Sequence, residues 1–400
     1  MNPVRYGIDV LLANQPVWKT ARIGLVTNHA ACTADFRPVR QALLAAGFRV
    51  TRLFSPEHGL DTIGVDGAEM LDGRDVLTGL PVTSLYGGKL APDQQDLADI
   101  DVVLFDIPDI GCRFYTYLWT MTHVMEACAA HHKPLVIADR PNPISGNLLL
   151  AEGPMLDERY NSSFIGRWNI PVRHSCTLGE LANYFKIAGS SPVLRERTND
   201  FDLTVIPCEN WHRSMFYRDW SPSFVPTSPA IPGFESALLY PGLGLLEATN
   251  ISEGRGTATP FRVAGAPWMD HIRVATLMNQ LGQEGVVARP VNFQSAEGKY
   301  AGQTCNGVMF HVTDANIFQP VKYGWLLIRL VKQLHPEAFE WAPYPTFVNQ
   351  SGVRHLDLLT GLQDAATLVA GTGEADQVPV DRYISAGDWP ERVGPYLLYI

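Results

Sequence analysis

Glu57 is the residue of this sequence best suited to act as an acid. It lies in the run Ser55-Pro-Glu-His-Gly59, directly after an apolar segment, Phe48–Phe54, that has the composition of a β-strand. The preceding proline makes the backbone rigid, and apolar neighbours raise the pKa of a carboxyl group by keeping water away. We therefore predict that Glu57 is a general acid with His58 as its catalytic neighbour. The alternative is a carboxylate that only caps its loop.

Polar side chains also occur at the ends of three other apolar segments. Asn28 follows the segment Arg22–Thr27, and Arg140 and Asn142 follow Pro134–Ala138. The segment Asp101–Ile107 contains Asp106 and is followed by Asp109, Arg113 and Tyr115. In an open parallel sheet, ligands bind outside the carboxyl ends of the strands, where the loops converge. We therefore expect these residues and Glu57 to line one cleft, with Asp106 among the catalytic groups.

Each of these residues also has a structural interpretation. Asn28 and Asn142 have the residue type that closes Asx turns or caps helices. Asp106 can pair with Arg113 or Arg140 to hold the loops together, and Tyr115 can cover the core instead of stacking on a ligand.

A second polar stretch, Glu247–Phe261, lies in the other half of the chain. Asn250, Glu253 and Arg255 stand there beside two glycines, which let the backbone approach a ligand closely. We expect this loop to cover the cleft and to contribute those three side chains to ligand binding.

The elements that must position these residues alternate between short β-branched runs and helical patterns, which is typical of a parallel α/β sheet. A proline-rich stretch, Ser221–Pro232, interrupts the pattern, since neither a helix nor a sheet interior accepts it. We predict a Rossmann-like N-terminal domain over residues 1–225 and a smaller α+β domain over residues 226–400. The expected elements are strands at 22–27, 48–54, 81–85, 101–107, 134–138, 203–207 and 308–313, and helices at 36–46, 93–98, 115–130, 178–187 and 321–334.

Composition excludes several classes of partner. The net charge is −10 and the basic residues are scattered, so neither nucleic acid nor an anionic membrane is an expected partner. Six cysteines without a C-x-x-C pair indicate reduced thiols. The first residues show no cationic start followed by an apolar stretch, so we expect a cytoplasmic location, or export if a leader has been removed.

Motifs for common cofactors are missing from the sequence. Dinucleotide binding is not indicated, because no G-x-G-x-x-G follows the first strand. A phosphate loop and the G-x-S-x-G of serine hydrolases are also absent. His29 and His58 lack a further His or Cys at metal-ligand spacing. We therefore expect no cofactor and no metal.

The ordered motifs resemble the NamZ-type exo-β-N-acetylmuramidases, a family formerly described as a domain of unknown function. The resemblance runs from Tyr6 to the last residues. Its main segments are Gly24-Leu-Val-Thr-Asn28, Ser55-Pro-Glu-His-Gly59, Ser84-Leu-Tyr-Gly87, Arg113-Phe-Tyr-Thr-Tyr117, Asp139-Arg-Pro-Asn-Pro143 and Thr249-Asn-Ile-Ser-Glu-Gly-Arg-Gly-Thr257. The resemblance implies a glycosidase that releases terminal N-acetylmuramic acid from the non-reducing end of peptidoglycan fragments, acts in cell-wall recycling and needs no cofactor.

The same resemblance makes Glu57 the catalytic acid and a muropeptide or a disaccharide of N-acetylmuramic acid the substrate. The second catalytic role stays open between Asp106, Asp109, Glu253 and the substrate's own 2-acetamido group. An arginine fork would suit the lactyl carboxylate of the sugar. Arg113, Arg140 and Arg255 are all candidates. Two other functions stay open: hydrolysis of another amino sugar on the same scaffold, and binding of muropeptides without turnover. The oligomeric state does not follow from the sequence.

Overall fold

The first half of the chain forms a mostly parallel sheet in a computed structural model that describes residues 2–221, 223–371 and 379–400. Seven of the described strands make up this sheet, in the order β3-β4-β2-β1-β5-β6-β9, and only β3 runs antiparallel to its neighbour. The strands are β1 (Ile23–Thr27), β2 (Val50–Ser55), β3 (Gly73–Arg74), β4 (Pro81–Ser84), β5 (Val102–Asp106), β6 (Leu135–Ala138) and β9 (Leu203–Ile206).

The inner strands alternate between two hydrophobic cores, one on each face of the sheet. In β5, for example, Val102 and Leu104 pack on one face while Val103 and Phe105 pack on the other. A strand covered on both faces has the continuous apolar run that predicted these elements. The helices are α1 (Gly7–Asn14), α2 (Val39–Ala45), α3 (Gln94–Leu97), α4 (Tyr117–Ala130), α5 (Glu158–Asn161), α6 (Leu178–Ala188), α7 (Pro192–Arg197), α8 (Phe234–Leu243), α9 (His271–Gln280), α10 (Pro320–Leu334), α11 (His355–Thr360), α12 (Ala365–Ala370), α13 (Val380–Tyr383) and α14 (Trp389–Val393).

The second half is smaller and carries an antiparallel sheet. Its strand order is β10-β12-β11, and a two-stranded ribbon, β7-β8, lies earlier in the chain. The strands are β7 (Glu152–Met155), β8 (Pro171–Arg173), β10 (Val263–Ala266), β11 (Val286–Gln294) and β12 (Thr304–Val312). The predicted fold class, a Rossmann-like parallel sheet with a smaller α+β part, is therefore confirmed.

The two halves share one continuous hydrophobic core, which extends from Val26 in β1 to Val393 in α14. The end of the chain returns to the first half, where the Trp389 indole donates to the carbonyl of His174 (2.9 Å) and the Tyr399 hydroxyl to Asp139 (2.6 Å). The predicted boundary between residues 225 and 226 stays a prediction. None of the helices in the described ranges combines the length and the apolar character needed to cross a bilayer.

Most predicted elements are confirmed to within two residues. The strand predicted at 308–313 begins earlier, at Thr304, and one helix begins later than expected. The predicted helix at 36–46 begins only at Val39, because Phe36 adopts a positive φ of 64° and Pro38 stands at the N-cap. Proline is tolerated there, since its missing N–H needs no helical partner.

Candidate active site

A cavity of about 550 Å³ lies between the loop that follows β2 and three segments of the second half. Glu57 and Arg255 both line it, although they are far apart in sequence. From the first half the walls are Glu57, His58, Asp66, Tyr86, Phe114, Tyr115, Thr116 and Ile165, and from the second half Ser228, Ala230, Ile231, Tyr240, Glu247, Arg255, Phe261, Tyr344, Thr346, His355 and Leu359. We call this space the inner cavity.

A tight reversal of the backbone after β2 places Glu57 in the inner cavity. His58 and Gly59 both adopt positive φ, at 65° and 73°, so the chain turns back on itself. The loop then returns to Gly67, whose backbone N–H donates to Glu57 Oε1 (2.9 Å). Gly67 has a φ of 67°, and a Cβ there would lie 2.7 Å from Thr346, so glycine is needed at this position.

Glu57 is 5% exposed, and its second oxygen, Oε2, accepts the hydroxyl of Thr116 (2.6 Å). Burial raises the pKa of Glu57 and the nearby charge of Asp66 raises it further, while His58, Thr116 and Gly67 act in the opposite direction. A buried carboxyl group with a raised pKa holds its proton closer to neutral pH, as a general acid requires.

Asp66 is a second carboxylate in the inner cavity, and its environment is the opposite of that of Glu57. Tyr344 donates its hydroxyl to Oδ2 (2.5 Å), Arg255 Nη2 lies 3.4 Å from Oδ1, and His58 Nε2 lies 4.0 Å from the same oxygen. Burial would raise the pKa of Asp66, but Arg255, His58 and Tyr344 outweigh it and leave the pKa lowered. The surroundings therefore favour the ionised form of Asp66 and the protonated form of Glu57.

Arg255 is positioned by carboxylates on several sides. Its Nη2 donates to Glu247 Oε1 (2.7 Å), its Nε lies 3.4 Å from Glu253, and its guanidinium stands 5.0 Å above the ring of Phe261. Glu247 in turn contacts His355 Nε2 at 3.2 Å. This network fixes the orientation of Arg255 at the wall of the cavity.

An outer cavity of about 1030 Å³ adjoins the inner one and shares five of its residues: His58, Asp66, Ala230, Arg255 and Tyr344. Its remaining walls include Ile63 and Val65, which are 79% and 70% exposed, and Glu297. The outer cavity therefore lies against the inner cavity on the side of Asp66 and Arg255.

Family models of the exo-beta-N-acetylmuramidase NamZ match this chain over nearly its whole length. The N-terminal model covers residues 23–235 and the C-terminal model covers residues 238–399. The chain belongs to the NamZ family. A peptidoglycan beta-N-acetylmuramidase NamZ of Bacillus subtilis is 39% identical over 351 residues, which cover 87% of this chain and 82% of that relative.

Two crystal structures of DUF1343 family proteins from Bacteroides fragilis have the same fold. One has a TM-score of 0.86 and covers 100% of both chains, and the other has a TM-score of 0.74 and covers 99% of both, each at 28% identity. The resemblance stated from the sequence motifs and the assignment of the chain as a glycosidase of the NamZ family are thus confirmed.

Not every residue that the sequence singled out in this NamZ family member reaches the inner cavity. Glu57, His58, Tyr115 and Arg255 line it, and Glu253 lies behind Arg255, paired with Lys299 (2.9 Å). Tyr115 donates its hydroxyl to Thr227 Oγ1 (2.7 Å) and presents its ring to the cavity wall.

Asp106 and Arg140 form a buried ion pair, with 3.0 Å between Arg140 Nη2 and Asp106 Oδ2. Arg140 and Asp109 line a different cavity, of about 440 Å³, outside the ends of β1, β5 and β6. The polar residues at this sheet edge are therefore divided between two cavities, and their common role in binding a ligand stays a prediction.

The remaining four predicted residues make hydrogen bonds within the protein. Arg113 is fully buried and donates to the carbonyls of Pro154 (2.7 Å), Ile170 (2.8 Å) and Leu359 (2.7 Å). Burial lowers the pKa of Arg113 to about 9. The three asparagines accept backbone N–H groups: Asn28 from Ala30, Asn142 from Ile144 and Asn250 from Glu340. Their interpretation as ligand-binding residues stays a prediction that this geometry does not favour.

Asp66, Glu247, Tyr344 and His355 line the inner cavity without having been singled out from the sequence. Of these four residues, only Glu247 had a sequence feature that could have indicated a site residue, because it is the first residue of the polar stretch that ends at Phe261. Within the described residues, no group of three or more His, Cys, Asp or Glu side chains has an arrangement that could hold a metal ion.

Proposed function

We propose that this chain releases terminal N-acetylmuramic acid from the non-reducing end of peptidoglycan fragments, with Glu57 as the general acid. The observation that carries the proposal is the burial of Glu57 in the inner cavity, which Asp66 also lines, with the pKa of Glu57 raised and that of Asp66 lowered. Two carboxyl groups with opposite pKa shifts can divide the roles of proton donor and anion that glycoside hydrolysis requires.

In the proposed reaction, the proton of Glu57 passes to the glycosidic oxygen as the bond from that oxygen to the anomeric carbon breaks. The leaving sugar departs with a hydroxyl group, and a water molecule supplies the hydroxyl of the released N-acetylmuramic acid. The remaining proton of that water restores the proton that Glu57 gave up. Positive charge develops at the anomeric carbon in the transition state. The ionised Asp66, held by Tyr344 and Arg255, is the carboxylate placed to stabilise that charge.

We assign the second catalytic role, beside that of the general acid, to Asp66 instead of the three carboxylates that the sequence left open. Asp106 is occupied by Arg140, Asp109 lines the other cavity, and Glu253 lies behind Arg255 with Lys299. The substrate's own 2-acetamido group stays open as a participant, with Asp66 as the anion that would orient its N–H.

Arg255 is the arginine proposed to bind the lactyl carboxylate of N-acetylmuramic acid. Arg113 donates to three backbone carbonyls and does not line the inner cavity, and Arg140 lines the other cavity. Arg255 lines both the inner and the outer cavity. A planar guanidinium can hold a carboxylate with two parallel hydrogen bonds, a geometry that lysine lacks.

The outer cavity is proposed to hold the leaving part of the substrate. Its volume is larger than that of the inner cavity, and Ile63 and Val65 offer apolar surface to the faces of a sugar ring. Release of the terminal monosaccharide would then supply N-acetylmuramic acid to cell-wall recycling.

The proposal is tested by comparing 4-nitrophenyl β-glycosides of N-acetylmuramic acid and N-acetylglucosamine as substrates of the purified chain. We expect hydrolysis of both, with the muramic acid substrate preferred by more than about tenfold in kcat/KM. A preference for N-acetylglucosamine would favour the alternative, a hydrolase of another amino sugar. Binding of both sugars without release of nitrophenol would show a non-catalytic binding protein.

A further inference from the structure

The cavity beside Arg140 is separate from the inner cavity that contains Glu57, and no described residue lines both. We call it the edge cavity. It lies outside the carboxyl ends of β1, β5 and β6, where it contacts Cys32, Pro108 and Arg140. Thr227 forms part of its wall, and the neighbouring Ser228 already faces the inner cavity.

The position of the edge cavity in the sheet is one that binds ligands in other α/β proteins. β1 is paired with β2 on one side and with β5 on the other, so the strand order reverses at this point. Loops that leave such a switch point diverge to opposite faces and open a crevice.

Aromatic rings form much of the wall of the edge cavity. Tyr217 packs against Trp220 (5.2 Å between ring centroids) and against Phe224 (4.8 Å), and all three line the cavity. Tyr6 closes another side, with the guanidinium of Arg140 5.0 Å from its ring. Aromatic faces of this kind suit a ligand that has an apolar face and polar edges.

The polar groups of the wall favour a ligand that donates hydrogen bonds over a ligand that carries a negative charge. Arg140 donates from Nε and Nη2 to the buried Asp106 and from Nη2 also to the carbonyl of Cys32 (2.8 Å). Its positive charge is thus already neutralised. An anionic ligand would find no free cation among these contacts.

Asp109 supplies the acceptor. Its Oδ2 accepts the N–H of Gly111 (2.7 Å), whereas its buried Oδ1 has no hydrogen-bond partner among the described residues. The side chain is 8% exposed and belongs to the cavity wall. Because an unpaired buried carboxylate oxygen is costly, a ligand hydroxyl or N–H that reaches it gains a strong hydrogen bond.

From these walls we infer that the edge cavity is a second binding site, which takes one 2-acetamido pyranose ring through stacking on its aromatic residues and a hydrogen bond to Asp109. The choice of this ring type rests on the proposed function, since it is the sugar type of the glycan on which the enzyme acts. The aromatic walls and the acceptor require an uncharged, hydroxyl-bearing ring in any case.

The site is tested by ¹⁹F NMR of the full chain labelled with 5-fluorotryptophan. Trp220 lines the edge cavity, and no described tryptophan lines the inner or the outer cavity. Trp220→Phe identifies its signal among those of the nine tryptophans. The uncharged N-acetylglucosamine is titrated up to about 10 mM, a range that includes weak millimolar ligands. The anionic N-acetylmuramic acid is titrated for comparison and should bind the edge cavity more weakly.

We expect a saturable shift of the Trp220 signal, and an apparent Kd at least about fivefold higher in Asp109→Asn, which keeps the contact to Gly111 but loses the charge. Phe224→Ala should weaken binding as well, and it replaces Asp109→Asn as the test variant if Asp109→Asn folds poorly. The exposed Asp200 gives the matched control Asp200→Asn, which should titrate like the wild type.

Absence of a saturable Trp220 shift, or equal affinities in Asp109→Asn and Asp200→Asn, would overturn the inference. Hydrolysis of a muramic acid glycoside is measured on the same samples. Hydrolysis without a Trp220 shift removes the edge site and leaves the proposed function intact. A Trp220 shift without hydrolysis supports the edge site and removes the proposed function.

Discussion

Glu57 and Asp66 line one cavity with their pKa values shifted in opposite directions. Burial raises the pKa of Glu57, whereas Arg255, His58 and Tyr344 together outweigh burial at Asp66 and lower its pKa. The two groups are also linked, because the charge of Asp66 is one of the causes that raise the pKa of Glu57. Changes at one carboxyl group should therefore be visible in the titration of the other.

Asp66→Asn should move the alkaline limb of the pH profile of kcat/KM to lower pH. Glu57 acts only when protonated, so activity falls as pH rises through its pKa. The anionic Asp66 raises that pKa, and the neutral asparagine removes this effect. Asp61→Asn, an exposed change in the same loop, is the matched control and should leave the limb in place. If the alkaline limb of the pH profile does not move in Asp66→Asn, the titrations of Glu57 and Asp66 are not coupled.

Thr116→Val should move the same limb in the opposite direction. The hydroxyl of Thr116 donates to Glu57 Oε2 (2.6 Å) and lowers the pKa of Glu57 by stabilising its ionised form. Without this hydrogen bond Glu57 should keep its proton to higher pH. Thr120→Val, a buried change in the first turn of α4, the helix that follows Thr116, provides the comparison. A shift to lower pH would mean that Thr116 acts on Glu57 in some other way.

Arg255→Lys should erode the preference for the muramic acid substrate over its N-acetylglucosamine counterpart. A tenfold preference corresponds to about 1.4 kcal/mol of transition-state free energy, and a lysine keeps the charge but loses the two-donor geometry. The ratio of kcat/KM for the two sugars is the measurement, with the exposed Arg289→Lys as control. An unchanged ratio in Arg255→Lys would move the recognition of the lactyl group to another residue.

Arg113→Met should lower the free energy of unfolding by at least about 2 kcal/mol, because three buried carbonyls lose their donor. Urea denaturation measures this loss. Arg159→Met, at a side chain 78% exposed, should stay within about 0.5 kcal/mol of the wild type. Full stability of Arg113→Met together with a raised KM would return Arg113 to the list of substrate-binding residues.

The parallel sheet could be predicted because its strands are buried on both faces and therefore show as continuous apolar runs. The position of Glu57 followed for the same reason, since it is attached to the end of β2. Arg140 and Arg113 also follow strands, yet one lines a cavity and the other lies in the core. The direction of a loop side chain depends on its packing partners, which a local pattern does not contain.

Asp66 shows a second limit of sequence reasoning. Its hydroxyl donor, Tyr344, is 278 residues away, and its cationic neighbour, Arg255, comes from the loop after the predicted boundary. Only the packing of the second half against the first creates the environment that keeps Asp66 ionised. The division of the polar residues between two cavities arises in the same way, from the segment of Thr227 and Ser228 that lies between them.

The measurement that tests the role of Glu57 most directly is turnover by Glu57→Gln on two substrates. Glutamine matches glutamate in shape but cannot deliver a proton. On a natural disaccharide we expect the rate to fall by a factor of about 10² to 10⁴. On an aryl glycoside with an acidic phenol the fall should be smaller, because that leaving group needs little protonation. Retention of more than about a tenth of wild-type turnover on the disaccharide, against the factor expected of a general acid, would contradict the assignment of Glu57.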